Sequence, residues 1–216
     1  MRVFLNPGHA PCGCPDPGAV NSGTGLRECD VAKNIADLVE KHLTKAGVSV
    51  SGNLQSDDLY EVVCASNNID ADVFVSIHCN AFNGVANGTE TWHYHTSKYG
   101  KQLAECIQRQ IVDALWTEDR GVKGAEPGRN GLYVLSNTDA VAVFARDRKR
   151  VVHVVDDDDA PEERPRHIAV LLIRLGKLVR HADNALFLQD LRRLELLRIF
   201  DRIKRQEGRP PGALAL

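Results

Sequence analysis

Three residues stand out by type and by what precedes them. His9 follows the apolar run RVFLN and a Pro-Gly turn, Glu28 opens the helix-patterned stretch ECDVAKNIADLVEKHLTKAG, and His78 ends the apolar run DVFVSIH. Two imidazoles and one carboxylate, with a fourth position open, form the donor set of a catalytic zinc site. Such a set leaves positive charge on the ion, which polarises a carbonyl and lowers the pKa of bound water toward ~7. Taken singly, each residue has a plainer role: a strand-end histidine packs or faces solvent, and a first-turn glutamate complements the helix dipole. Taken together at one edge, beside glycine-rich turns, the three read as metal ligands. Cys12 and Cys14, with His9 and Cys29, offer a second, structural-zinc reading, and C-x-C with a distant third cysteine is the weaker signal. Cys64, Cys79 and Cys106 sit in apolar or helical contexts and read as small buried hydrophobes. His93 and His95 read as a surface-facing pair and His42 as exposed.

The elements that must position these residues alternate. RVFLN is a short strand, and the helix after the loop carries Val31, Ile35, Leu38, Val39 and Leu43 on one face before Gly47 ends it. VSV reads as a second strand, DDLYEVVCASNNID as a helix capped by Asp57 or Asp58, and DVFVSIH as a buried strand. GTETWHYH alternates like a half-buried strand, SKYGKQLAECIQRQIVDALW is amphipathic, and GLYVLSN and AVAVFA read as two more strands. The expected fold class is α/β: a single mixed or largely parallel sheet flanked by helices, with a charged, helical C-terminal segment. Ligands gather at the carboxyl ends of strands in such sheets, which brings His9, Glu28 and His78 to one edge.

Composition narrows the class. The chain has 216 residues, 43% hydrophobic and 26% charged, enough for one real core. A formal net charge of -2 gives no reason to expect nucleic acid, and no apolar run approaches the ~20 residues that span a bilayer, so stable membrane insertion is not expected. MRVFL leaves no room for the ~7–15-residue apolar core of a secretory signal, so export by the general route is not expected. Six cysteines without C-x-x-C spacing do not suggest a disulfide framework.

With these residues in view, the chain resembles the zinc-dependent N-acetylmuramoyl-L-alanine amidases that cleave bacterial peptidoglycan. The resemblance lies in FLNPGHAPCGCPDPGAVN with GLRECDVAKNIADLV, in DVFVSIHCNAFNGVANGTETWHYH, and in RGVKGAEPGRNGLYVLSNTDAVAV, and covers roughly residues 1–143. It implies that His9, Glu28 and His78 bind Zn2+ and that Cys12 and Cys14 belong to a variable loop. It further implies that the partner is peptidoglycan and that the bond cut joins the lactyl group of muramic acid to L-alanine. On that basis the protein acts on the cell wall, as an autolysin of the host or a phage endolysin, with its route to the wall open.

The family places a general-base glutamate near the end of its last strand, in a pattern like A-V-L-V-E. Here the matching stretch is AVFAR, and Arg146 stands in that position. Arginine stays protonated and accepts no proton, and Asp147 next to it points to the opposite face of a strand. Composition shifts at the same point: residues 1–145 hold 5 arginines and residues 146–216 hold 13. The sequence therefore divides into an amidase-like domain at 1–145 and a divergent segment at 146–216, with an apolar stripe through Phe187, Leu191, Leu194, Leu197 and Phe200. That segment is either a natural tail for oligomerisation or partner binding or a shifted reading frame, in which the Arg146–Asp147 junction can read Glu-Ile. The functional expectation is a zinc-dependent amidase impaired at its general base; the alternative is a zinc-containing cell-wall binding module without activity.

Overall fold

The computed structural model describes residues 1–79 and 88–148. The acidic run at Asp156–Asp159, the Phe187–Phe200 stripe and nearly all of the 146–216 segment lie outside the described residues. Six strands are present among the described residues: β1 Arg2–Pro7, β2 Ser49–Asn53, β3 Val73–Cys79, β4 Gly88–Tyr94, β5 Asp119–Ala125 and β6 Val141–Arg148. They form one sheet in the order β2-β1-β3-β6-β4-β5. β2, β1, β3 and β6 run parallel, while β4 and β5 are parallel to one another and antiparallel to β6. The sheet is therefore mixed, and the carboxyl ends of four strands share an edge with the amino ends of the other two.

Strand alternation sorts the core into two layers. Val3, Leu5, Val73, Ile77, Val143 and Ala145 face one side, under α1 (Glu28–Lys45) and α3 (Lys98–Leu115). Phe4, Phe74, Ala142 and Phe144 face the other, under α2 (Leu59–Asn68) and α4 (Tyr133–Asn137). The α1 stripe of Val31, Ile35 and Val39 is buried as its spacing implies. Asp58 caps α2, accepting hydrogen bonds from the backbone N–H groups of Tyr60 and Glu61.

Two elements differ from their sequence reading. LYVL is not a strand: Tyr133–Asn137 is a single helical turn whose Val134 and Leu135 pack on the second layer. A four-residue apolar run satisfies either period, and here the place in the sheet is taken by DRGVKGA, which reads poorly as a strand because it holds two glycines and three charges. That stretch is β5, paired on one side only among the described residues, so its composition suits an edge. His93 is buried, opposite Val143 in the middle of the sheet, and gives its Nδ1 to the Tyr94 carbonyl at 2.8 Å, so it is not part of a surface pair; His95 is exposed. His42 is half-buried, not exposed.

Phe74 is fully buried and stacked on Phe4 with ring centroids 5.7 Å apart. Phe74→Ala is expected to cost about 3–5 kcal/mol, read as a lowered denaturant midpoint with an unchanged m-value.

Candidate metal centre and its cleft

β1 delivers the chain to the shared edge, and the turn that follows is tightly specified. His9 adopts a left-handed backbone, with φ of 68°. A Cβ on Gly8 would fall 2.2 Å from His78 Cε1, and one on Gly18, itself at φ 66°, would fall 2.5 Å from His9 Cδ2. Glycine at these two places lets the backbone lie against the two imidazoles. Gln55 ties the turn to α1, its Nε2 donating to the Gly8 carbonyl at 2.9 Å and to the Cys29 carbonyl at 2.8 Å. Arg27 holds the far limb of the loop, donating to the Cys12 carbonyl at 2.8 Å and pairing with Asp30.

At the start of α1, Glu28 is buried and its Oε1 meets three donors. It lies 3.0 Å from His9 Nε2, 3.1 Å from His78 Nδ1, and accepts from the Cys79 backbone N–H at 2.8 Å. Its Oε2 accepts from the Ala19 N–H at 3.1 Å. Burial alone would raise the Glu28 carboxyl, but hydrogen bonds from His78, His9 and Ala19 hold it well below the usual range, so it is ionised. Glu28 raises His9 to about 9 against the opposing effect of burial, with further help from Asp16. Burial pushes His78 down, so its ring is neutral, the form that binds metal.

One nitrogen of each histidine and one oxygen of Glu28 lie within 4.8 Å of one another, the one such cluster of three metal-capable residues among the described residues. The donors are the nitrogen–oxygen set that suits a divalent ion of the zinc type. Asp16 completes it from outside: its Oδ2 accepts from His9 Nδ1 at 2.8 Å while its Oδ1 accepts from the Gly18 N–H at 2.9 Å. That contact fixes the tautomer and leaves Nε2 turned toward Glu28. Cys12 and Cys14 are exposed outside the cluster, Cys29 is buried, and Cys79 is pushed up to about 12 by its burial. The cysteine-ligated alternative therefore has no matching arrangement here.

The cluster opens into a cleft lined on one side by Ser56, Asp57 and Leu59 and on the others by Tyr133, Phe144 and Arg146. Arg146 is directly beside His78 in the strand register. Its guanidinium pairs with Glu90, which is fully buried and is also bound by Lys123, by Arg120 at 3.0 Å and by Trp92 Nε1 at 3.1 Å. Burial would raise the Glu90 carboxyl, yet Lys123, Trp92 and Arg146 hold it at about 2, too acidic and too enclosed to serve as a base. Asp147 faces the other layer, accepting a hydrogen bond from Thr89 Oγ1.

The family profile described as N-acetylmuramoyl-L-alanine amidase matches residues 3–146, from the first residues of β1 to Arg146. This chain belongs to the N-acetylmuramoyl-L-alanine amidase family. It is 36% identical over 151 residues to an uncharacterised protein, YqiI, of Bacillus subtilis, covering 66% of this chain and 67% of that one. It is 38% identical over 129 residues to the N-acetylmuramoyl-L-alanine amidase LytC of the same organism, covering 57% of this chain and 25% of LytC. The match thus spans about a quarter of that longer relative. Among solved structures, the amidase AmiC2 of Nostoc punctiforme superposes with a TM-score of 0.62 at 27% identity, covering 82% of this chain and 95% of AmiC2.

Asp16, Gln55 and Glu90 are the site's supporting residues that the sequence reading passed over. Asp16 stands in PDPG, where turn propensity hides it; Gln55 and Glu90 act through contacts 26 to 56 residues away.

Glu90 supplies a pH prediction. Its folded pKa lies below the ordinary value of 4.5, so its stabilising pairs are complete above that value and are lost as pH falls toward about 2. Glu90→Gln is expected to lower the denaturant midpoint at pH 7, by a free energy at the low end of ~3–5 kcal/mol because the three cations are each about one-third exposed. The gap from the unmodified chain should close as pH drops from about 5 to 2. Asp16→Ala should weaken metal binding by about 10–100-fold without removing it, read by competition with a chelator.

Proposed function

We propose that this chain is a zinc-dependent amidase domain that acts on the bond between N-acetylmuramic acid and L-alanine in peptidoglycan, and that its hydrolytic step is impaired at Arg146. The observation that carries the reading is the convergence of His9, Glu28 and His78 at the floor of an open cleft, inside the segment that matches the family. A zinc ion held there supplies Lewis acidity toward an amide carbonyl and toward water. Asp16 keeps the His9 ring oriented, and ionised Glu28 keeps the donor set at one net negative charge.

Amide hydrolysis also needs a group that takes a proton from the attacking water and returns it to the leaving amine. The family resemblance puts a glutamate at position 146, beside His78. Arg146 cannot accept that proton, and neither Glu90 nor Asp147 is placed to substitute. The surroundings support a carboxylate there: Arg120 and Lys123 together face the single carboxylate of Glu90, so a second negative charge at 146 would balance them. The protein as it stands should bind zinc and cleave slowly.

Loss of a positioned base costs ~10²–10⁴-fold in rate. Arg146→Glu is therefore expected to raise chelator-sensitive release of L-alanine-initiated peptides from muropeptide by about 10²-fold. Zinc content near one per chain should fall sharply in His9→Ala and His78→Ala and persist in Cys12→Ala. Unchanged zinc content in His9→Ala removes the ligand assignment, and full activity of the unmodified chain removes the impairment.

A further inference from the structure

The strands beyond His78 gather more positive charge than they neutralise. Glu90 on β4 lies opposite Arg146 of β6, and Trp92, two residues further along the same face, lies opposite Lys123 of β5. The Glu90 carboxylate is saturated. Its Oε1 accepts from Arg146 and from Trp92 Nε1 at 3.1 Å, and its Oε2 accepts from Lys123 and from Arg120 Nε at 3.0 Å. Among the described residues, Glu90 is the one carboxylate that pairs with any of these cations. Asp119 and Asp147, their neighbours in the chain, are engaged with Gln108 and Thr89 instead. Three positive charges thus meet one negative charge, and each of the cationic side chains is about one-third exposed.

The geometry leaves donors to spare. Arg120 reaches Glu90 through Nε, and Arg146 through Nε and Nη2, so further guanidinium N–H groups and the remaining Lys123 ammonium protons are left for another acceptor. The arginine fork matches a planar carboxylate, and such pairs are stronger than neutral hydrogen bonds. The Trp92 ring, with Lys123 5.4 Å and Arg146 5.5 Å from its centre, holds two of the cations in place. The patch adjoins the metal cluster. Arg146 lines the same cleft as His9, Glu28 and His78, and α4, which packs on β6 and β4, sets Tyr133 in that cleft as well. His78 and Arg146 are paired across neighbouring strands ~4.8 Å apart, and β4 and β5 follow at the same spacing. An extended peptide advances ~3.5 Å per residue. A ligand whose amide sits at the cluster therefore brings a carboxylate one or two residues further on within reach of Arg146 and the long Lys123 side chain.

We propose that Arg146, Lys123 and Arg120 form a carboxylate-binding subsite organised by buried Glu90, and that it takes the free carboxylate of an acidic peptide one or two residues beyond the amide at the cluster. The choice of a peptide rests on the amidase reading, and the subsite adds the group by which that peptide is recognised. Arg146, which accepts no proton, is then a binding residue. Glu90 is a positioning residue: it touches no ligand and gathers the three cations. It also competes with the ligand for them, so removing its charge frees donors for an incoming anion even though the same change lowers stability.

The test uses the full zinc-loaded chain and three probes that need no turnover: N-acetyl-L-alanyl-D-isoglutamate, its uncharged diamide and inorganic phosphate. The acid is expected to bind more tightly than the diamide, by a margin that shrinks as added salt screens the exposed cations. Lys123→Gln and Arg120→Gln should each weaken the acid by about 2–5-fold and leave the diamide unchanged. Glu90→Gln should tighten the acid by about the same 2–5-fold. A poorly folded variant can only lose binding, so a gain isolates the effect of charge. Equal binding of acid and diamide overturns the subsite. So does an acid preference that all three variants leave unchanged, which places the carboxylate on the zinc, or phosphate binding as tight as the acid, which makes the patch a general anion site. Zinc measured on the same samples separates the two readings. A zinc-loaded chain without an acid preference refutes only the subsite. A chain that takes up no zinc refutes the amidase site, while an acid preference that still follows the cation variants in that chain upholds the subsite.

Discussion

Lateral strand register is the constraint on which the site depends. Gly8 donates its N–H to the Ile77 carbonyl at the end of the β1–β3 ladder, which sets it beside His78; His78 pairs with Arg146, and Arg146 with Glu90. Those residues form one row across four strands, all on the layer that opens to the cleft. A one-residue slip of β6 would turn Arg146 to the opposite face and bring Asp147 into the cleft. The register is secured by the core beneath it, since Val143 and Ala145 must face α3 while Ala142 and Phe144 face α4.

Glu28 is the electrostatic counterpart of that row. Among the described residues it is the single carboxylate that meets both imidazoles, and it sits on a helix, so its position follows from how α1 packs on β1 and β3. The Val31, Ile35 and Val39 stripe fixes the helix rotation, and the hydrogen bonds from Ala19 and Cys79 fix the carboxylate plane. Burying a charge this deeply is sustained because every oxygen has a partner. The second buried carboxylate, Glu90, follows the same rule with cations instead of histidines, and this divides the cleft into a part lined by the histidine and glutamate cluster and a positively charged part.

The family match and the strands that carry the candidate site both extend to Arg146, in the last strand of the sheet. Arg146 occupies its strand position without disturbing the ladder, because the guanidinium finds Glu90 and the Trp92 face. Under the proposed amidase reading, the fold tolerates a positive charge at a position where the reaction asks for a proton acceptor. Stability depends on whether the charge is paired, whereas hydrolysis depends on whether the group can accept a proton.

Much of this was legible in the sequence. The 3.6-residue stripe of α1, the alternation in DVFVSIH and the glycine and proline turn after RVFLN determined the elements, and the rule that ligands gather at strand ends brought His9, Glu28 and His78 to one edge. Short segments were not decidable that way: LYVL fits one helical turn as well as a strand, and DRGVKGA becomes a strand only because β4 leaves an edge open to pair. His93 looked like a surface residue because alternation gives two faces without saying which is covered, and α3 covers its side. The roles of Asp16, Gln55 and Glu90 were decided by tertiary structure alone. Their roles come from contacts across many residues of chain, and local periodicity carries no information about partners at that distance.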